Sequence, residues 1–186
     1  RKILRREEPV SNDGPHYPIP YFGEGAWGMG KPLKSITHPL RADLPIYLGA
    51  EGPKNVALAA EICDGWIPLW YAPTREEVYA DSLVNAREDF DIVVPVTINV
   101  TDDLQSAYDA IRPSLGFYIG GMGAKQRNFH KELMGRMGFE AEADKIQDLF
   151  FAGKRAEAIA AVPDQFADMI QALLSLSLHT IMVLHD

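Results

Sequence analysis

Residues 45–69 hold the feature that most narrows the choice of fold. Pro45-Ile46-Tyr47-Leu48-Gly49 is a short apolar run of the kind that forms a buried strand, and Gly49-Ala50-Glu51-Gly52-Pro53 follows as a tight turn. Pro53 suits the first turn of a helix, where its missing N–H has no partner to lose. Val56, Ala59, Ala60 and Cys63 then continue at helical spacing. Asp64-Gly65 ends that helix, and Trp66-Ile67-Pro68-Leu69 reads as the next strand. Two neighbouring strands joined through a helix run parallel, because a hairpin turn cannot connect parallel strands. The unit therefore commits the chain to an α/β architecture.

The alternation continues downstream. Thr74-Arg75-Glu76-Glu77 has the form of a capping box and predicts a helix running to about Glu88. Asp91 to Val100 is a β-branched strand. Thr101-Asp102-Asp103 caps a helix through Ile111, and Pro113 is expected to bend or break it. Gly120 to Gly123 marks a joint, Ala124 to Val162 reads as several shorter helices, Pro163 starts another, and Thr180 to Leu184 is a final strand. Mostly apolar strands alternating with helices leave two architectures open, a doubly wound sheet or a (β/α)8 barrel. A whole barrel needs roughly 250 residues, 200 at the least. With 186 residues and four legible strands, this chain would be an incomplete one.

The front of the chain differs. Arg1 to Arg6 reads as the last turns of an amphipathic helix, and the first residue is not Met, so the chain is expected to be a piece of something longer. Pro9 to Pro45 is rich in Pro, Gly, His and aromatics without a period, and predicts a long loop. Tyr17, Tyr21, Phe22 and Trp27 argue that it is ordered.

Composition enters where partners are concerned. Asp+Glu number 26 against 18 Lys+Arg, a net charge of -8 that repels phosphate backbones and anionic lipid, so neither nucleic acid nor membrane is expected as a partner. No stretch approaches the ~20 apolar residues of a membrane span. The charged start lacks the apolar core of a signal peptide. A single cysteine, Cys63, excludes a disulfide framework and a cysteine-rich zinc module, and fits a cytoplasmic location. The five histidines are scattered with no i,i+4 pair, so no metal site is expected. His130, on a charged helix, should be solvated.

Two glycine patterns fail on context. Gly23-Glu24-Gly25-Ala26-Trp27-Gly28 matches GxGxxG, and Gly25 to Lys31 matches the start of a P-loop. Both need a strand before and a helix after, so that backbone N–H groups meet the phosphate. Upstream stands Pro18-Ile19-Pro20, and Pro32 replaces the hydroxyl residue that would hold magnesium. The turn Gly49 to Asn55 has the right context, a strand before it and a helix after. It stands open to two readings. One is an anion site, with small residues allowing close approach and a helix N-terminus offering donors. The other is a plain βα turn in which Gly and Pro serve geometry alone. Glu51 opposes an anion and Lys54 partly offsets it. Trp66, Trp70 and Tyr71 suit either a core or a pocket wall. No nucleophile elbow or acid/base pair is evident, so the residues by themselves give a scaffold and no reaction.

Several motifs nevertheless match a known pattern: Asp13-Gly-Pro-His-Tyr-Pro, Gly30-Lys-Pro-Leu-Lys, the run from Leu44 through Ile46-Tyr-Leu-Gly-Ala-Glu-Gly-Pro to Trp66, Phe117-Tyr-Ile-Gly-Gly-Met-Gly, and Asn128-Phe-His. Over about residues 1–170 the chain closely resembles the luciferase-like flavin and deazaflavin oxidoreductases, in particular their coenzyme F420-dependent branch. The resemblance implies a (β/α)8 TIM barrel of the luciferase-like type, present as an incomplete C-terminal portion. It makes residues 1–186 one partial domain, with 9–45 an inserted loop region and 46–186 carrying βα units and a helical insertion.

It implies a cofactor at the C-terminal mouth of the barrel, with the turn Gly49, Ala50, Glu51 and Gly52 on its ribityl-phosphate side. Trp70 and Tyr71 would face the substrate pocket. The implied reaction is hydride transfer to or from coenzyme F420, acting on a small-molecule substrate, in a cytoplasmic enzyme that forms a homo-oligomer. FMN and an oxygen-dependent monooxygenation are the alternative within the family, and a non-catalytic fragment or association domain is the alternative outside it. The family's N-terminal half, with its ring-contacting and proton-handling residues, has no counterpart here, so no catalytic residue is named. The tail after Met169-Ile170 is also shorter than in relatives. Half a barrel leaves sheet edges open, so the chain alone is expected to be unstable, to aggregate, or to be completed by another segment.

Overall fold

In the computed structural model, which describes residues 1–95 and 103–171, the chain forms two units, Arg1–Ile46 and Tyr47–Asp186. The first opens with one helical turn, α1 (Lys2–Arg5), stopped by Arg6 in the left-handed region at φ 55°. The Arg6 side chain then donates to the Ser35 carbonyl (2.9 Å) and to His38 Nδ1 (2.8 Å). Two isolated antiparallel bridges, Val10 with Leu33 and Asn12 with Ile19, shape the rest. Asn12 Nδ2 donates to the Tyr17 carbonyl (2.6 Å), and its Oδ1 accepts from Gly14 N–H (3.1 Å). The loop is thus ordered through its backbone. Its aromatics are not buried: Trp27 is 93% exposed, and Tyr17, Tyr21 and Phe22 are exposed with it. Gly25, Gly28 and Gly30 hold positive φ, with no strand before them and no helix after, so neither phosphate-loop pattern has its required setting.

The second unit contains the expected βαβ unit. β1 (Tyr47–Gly49), α2 (Pro53–Ile62) and β2 (Gly65–Ile67) follow in order, with Pro53 in the first turn of α2 and Val56, Ala59 and Ala60 buried along it. β3 (Asp91–Ile92) completes a parallel sheet of order β1-β2-β3, in which Leu48 pairs with Trp66, and Trp66 with Ile92. Alternation puts these three on one face. Tyr47, Gly65 and Asp91 pair in the adjacent register position and share the other. There the Tyr47 ring crosses Gly65 and its hydroxyl donates to Asp91 Oδ2 (2.6 Å). The predicted strand positions 96–100, the cap residues 101–102 and the final strand 180–184 lie outside the described residues.

Two helix expectations need correction. The capping box at Thr74 is not made. Pro73–Tyr79 is a 3-10 helix whose cap position, Ala72, has no side-chain bond, and Arg75 interrupts it before the short α3 (Ala80–Leu83). Pro73 starts the segment ahead of the Thr, and burial of Tyr79 sets its path in place of the cap. Pro113, in turn, does not end its helix. α4 (Leu104–Gly121) runs through it, capped by Asp103, whose carboxylate accepts from Gln105 N–H (3.0 Å). Leu115 and Ile119, both fully buried beyond the proline, outweigh the one lost backbone bond. Arg112 also ties that turn to Asp109, Asp164 and the Val162 carbonyl.

Helices α5 (Phe129–Met134), α6 (Glu140–Phe151), α7 (Arg155–Ala160) and α8 (Asp164–Gln171) follow, matching the expected run of short helices. A π-type turn, Gly135–Phe139, joins α5 to α6 with Gly138 at φ 98°. Asn128 builds the corner between α4 and α5. Its Oδ1 accepts from His130 and Lys131 N–H, and its Nδ2 donates to the Tyr118 and Ile119 carbonyls (2.9 and 2.8 Å). One side chain thereby satisfies the loose ends of two helices. Trp66, Leu115, Ile119, Leu133, Met134, Met137, Ile146 and Phe166 form the core. Among the described residues no helix is long and apolar enough to cross a membrane.

Candidate functional site

The C-terminal ends of β1 and β2 bring two turns side by side. The turn after β1 contains the four residues singled out from sequence, and they differ in what they offer. Gly49 is exposed, and the position of an added Cβ meets nothing nearer than the Ile67 carbonyl at 4.0 Å. Its backbone is open to approach. Ala50 is buried, and its carbonyl is taken by Trp66 Nε1 (2.7 Å). Gly52 is buried for another reason than ligand access: a Cβ there would stand 2.8 Å from the Phe129 ring. Of the three small residues expected to leave room for a ligand, Gly49 has open space over its backbone, while Gly52 makes room for Phe129.

Glu51 turns its carboxylate back to accept from the Leu69 N–H, in the segment that follows β2. Burial pushes this carboxyl up to about 7, against the lowering effects of the Leu69 bond and of the Arg136 charge. Nearby, Tyr79 donates to the Trp70 carbonyl (3.1 Å) and is held well above the usual phenol range, chiefly by burial and then by Glu51. Tyr71 stacks on it with ring centres 5.3 Å apart. Burial, then the Glu76 carboxylate, pushes Tyr71 up to about 12. Both phenols are therefore neutral donors across the physiological range.

The aromatic expectations divide. Trp70 is buried edge-on to Tyr118 and Phe166 and tilted against His130, with centres 5.2–5.9 Å apart, so it is a core residue. Tyr71 remains partly exposed. His130 is corrected too: it is buried between Trp70 and Tyr118, its Nδ1 lacks a hydrogen-bond partner, and burial lowers its pKa. It sits in the first turn of α5, whose inward face was hidden in sequence by the charges around it.

Between the segment that follows α4 and the start of α6 opens a cleft of about 570 Å³ whose lining includes Lys125, Arg127, Lys131 and Arg136 together with Glu132, Glu140 and Asp144. Lys131 is committed to Asp144 (2.6 Å) and Gln147 (2.8 Å), and the Arg127 guanidinium lies over the Phe129 ring, 5.3 Å from its centre. Phe129 in turn packs on Gly52, and the Arg136 charge acts on Glu51, so the turn meets two residues of the segment that follows α4. Four cationic and three acidic side chains thus line a cleft in a chain whose net charge is -8. Phe129 stands in the Asn128-Phe-His motif, but neither it nor Arg136 is placed at the turn by any sequence spacing. The only local signal was Gly135-Arg136-Met137-Gly138, where a glycine pair frames an arginine.

Comparison with known proteins gives a consistent picture. Residues 1–173 match the family model described as Luciferase-like monooxygenase. A Mycobacterium tuberculosis protein named as a coenzyme F420-dependent oxidoreductase is 48% identical over 177 residues, covering 90% of this chain and 51% of that protein. A 5,10-methylenetetrahydromethanopterin reductase of Archaeoglobus fulgidus is 33% identical over 85 residues, covering 42% of this chain and 26% of the reductase. Among solved structures, the coenzyme F420-dependent tetrahydromethanopterin reductase of Methanopyrus kandleri superposes with a TM-score of 0.59 at 21% identity. That match covers 91% of this chain and 45% of the other, and it bears on the fold. The chain spans about half the length of the first of these relatives and less of the others.

Proposed function

The chain belongs to the luciferase-like monooxygenase family, and from that premise we propose that it supplies the cofactor phosphate side of a coenzyme F420-dependent oxidoreductase. In this reading the α/β unit from residue 46 onward is part of a (β/α)8 barrel wall with a helical insertion, and residues 9–45 are an inserted loop. A homo-oligomer, or another segment that closes the barrel, would cover the open face of the sheet.

One observation carries the assignment within the chain. The Gly49 backbone is exposed at a strand's C-terminal end and before a helix, and Arg136, one of the cations lining the cleft, acts on Glu51 of the same turn. A phosphate-bearing cofactor needs an unobstructed backbone and nearby positive charge, and both are present. Gly49, Ala50, Glu51 and Gly52 would hold it through the backbone of the turn, since the Ala50 carbonyl and the Glu51 carboxylate are already engaged. The bound deazaflavin supplies hydride chemistry at its C5 carbon. The residues of this chain would bind and orient it.

Titration of the full chain with coenzyme F420, then with FMN, followed by fluorescence and light scattering, tests the reading. Saturable binding of F420 by a species of defined mass supports it. Preference for FMN moves the chain to the flavin-dependent monooxygenases of the same family. A folded, soluble chain that binds neither leaves ancestry as the content of the family likeness.

A further inference from the structure

The turn assigned to an anion carries a carboxylate of its own, and the position of that group is informative. Glu51 stands between Ala50 and Gly52, both buried, and its side chain reaches the N–H of Leu69, 18 residues further on. One carboxylate therefore ties together the turns that follow two neighbouring strands. Trp66 Nε1 on the Ala50 carbonyl (2.7 Å) fixes the same turn a residue earlier, and a carboxyl that swung out to solvent would give up its bond to Leu69. Arg136 of the π-type turn acts on Glu51 from one side. Tyr79 of the 3-10 helix, with Tyr71 stacked on it, lies on another. Lys54, on the first turn of α2, is exposed. An ionised Glu51 thus places a fixed negative charge in a turn that is to receive another.

We propose that Glu51 is a positioning residue and the proton-linked counter-ion of this turn: ionised in the free chain above neutrality, it takes up a proton from solvent there when a phosphate group settles on the Gly49 backbone, leaving the Arg136 charge to the ligand. The inference rests on the phosphate-turn reading above and concerns its regulation. A protonated carboxyl still presents a carbonyl oxygen to the Leu69 N–H, so the tie between the two turns survives the change. Burial already brings the group close to the point of protonation, at about 7, so little is needed to tip it. The consequence is an affinity for the cofactor phosphate that weakens as pH rises through neutrality.

The experiment compares F420 affinity of the wild-type chain and Glu51→Gln between pH 6 and 8.5 by fluorescence. Gln keeps the acceptor for Leu69 and removes the charge, and the ratio of the two affinities cancels any titration of the ligand itself. The expected ratio of wild-type to variant Kd is close to 1 at pH 6 and about tenfold at pH 8, since a group with its midpoint near 7 is then about nine-tenths ionised. Calorimetry of the wild type in buffers of different ionisation enthalpy should show about 0.9 proton taken up per cofactor at pH 8, and this serves equally if the variant does not fold. Binding with a constant ratio and no proton uptake overturns the inference and leaves the phosphate turn standing. No binding by either protein at any pH overturns the phosphate turn and the inference with it.

Discussion

Residues 1–46 and residues 47–171 are both ordered, and they achieve it by different means. The first unit carries Tyr17, Tyr21, Phe22 and Trp27, yet all four are exposed, and its conformation rests on two backbone bridges and a few side-chain bonds such as those of Arg6 and Asn12. The second unit buries Trp66, Trp70, Phe166 and a shell of aliphatic side chains, and its polar groups serve that packing. Aromatic content alone therefore does not predict a core. What separates the regions is periodicity: the second has apolar positions that recur on one face of a helix or strand, and the first has none.

The contrast can be broken most directly by truncating one large ring in each unit. Phe166→Ala should cost about 3–5 kcal/mol of unfolding free energy, whereas Trp27→Ala should fall within about 0.5 kcal/mol of wild type. Urea denaturation reads both, and a large loss at Trp27 would show that the first unit has an apolar contact of its own to protect.

A second pair compares two asparagines that each bond the chain around them. Asn128→Ala strands two carbonyls and two N–H groups at a buried helix corner and should cost about 2 kcal/mol or more. Asn12→Ala, at an exposed turn, should cost about 0.5 kcal/mol or less. Equal losses would mean that burial does not govern the value of such bonds here.

Glycines sharpen the same point. Gly65→Ala should cost about 1–3 kcal/mol, because the new Cβ would stand 2.4 Å from the Tyr47 ring and 2.7 Å from the Asp91 carbonyl, the latter being backbone that cannot step aside. At Gly28, with open space around it, the loss from alanine should be smaller and come from its φ of 70° alone. Thermal melts of the two variants decide the order.

The smallest effect concerns pH. Burial lowers the pKa of His130, so below about 6.5 the unfolded chain binds a proton that the folded chain refuses. Stability should therefore fall as pH drops from 6.5 through the lowered folded value, and should not depend on this residue above it. His130→Gln should flatten that acid limb in pH-dependent melts, and an unchanged limb would assign it to other groups.

Much of the second unit was legible because its signals are local. Pro53 at a helix start, Val56 to Cys63 at helical spacing and the two apolar runs around them specify the βαβ unit without further information. The misses share a cause. The break expected at Pro113 and the Thr74 box are local rules that burial overrode, by Leu115 and Ile119 in one case and Tyr79 in the other. His130 was misplaced because charge around it was read as solvent exposure, while Trp70 and Tyr118 cover it. At the candidate site Gly49 to Gly52 could be picked out from their place between strand and helix. Arg136 and Phe129 reach the turn from 75 or more residues away, and no spacing rule encodes such a meeting.

The Tyr47 crossbar over Gly65 also bears on how the strands find one another. Strands of two and three residues have few ladder bonds with which to recognise their partners, and a slip of one residue would exchange the faces of every side chain. Here a slip of β2 would put Trp66 where the Tyr47 ring must lie, a position that admits only hydrogen. The ring over Gly65 therefore disfavours the slipped register that would bring Trp66 beneath it. Proofreading of the sheet is done by one glycine and one phenol, not by the length of its strands.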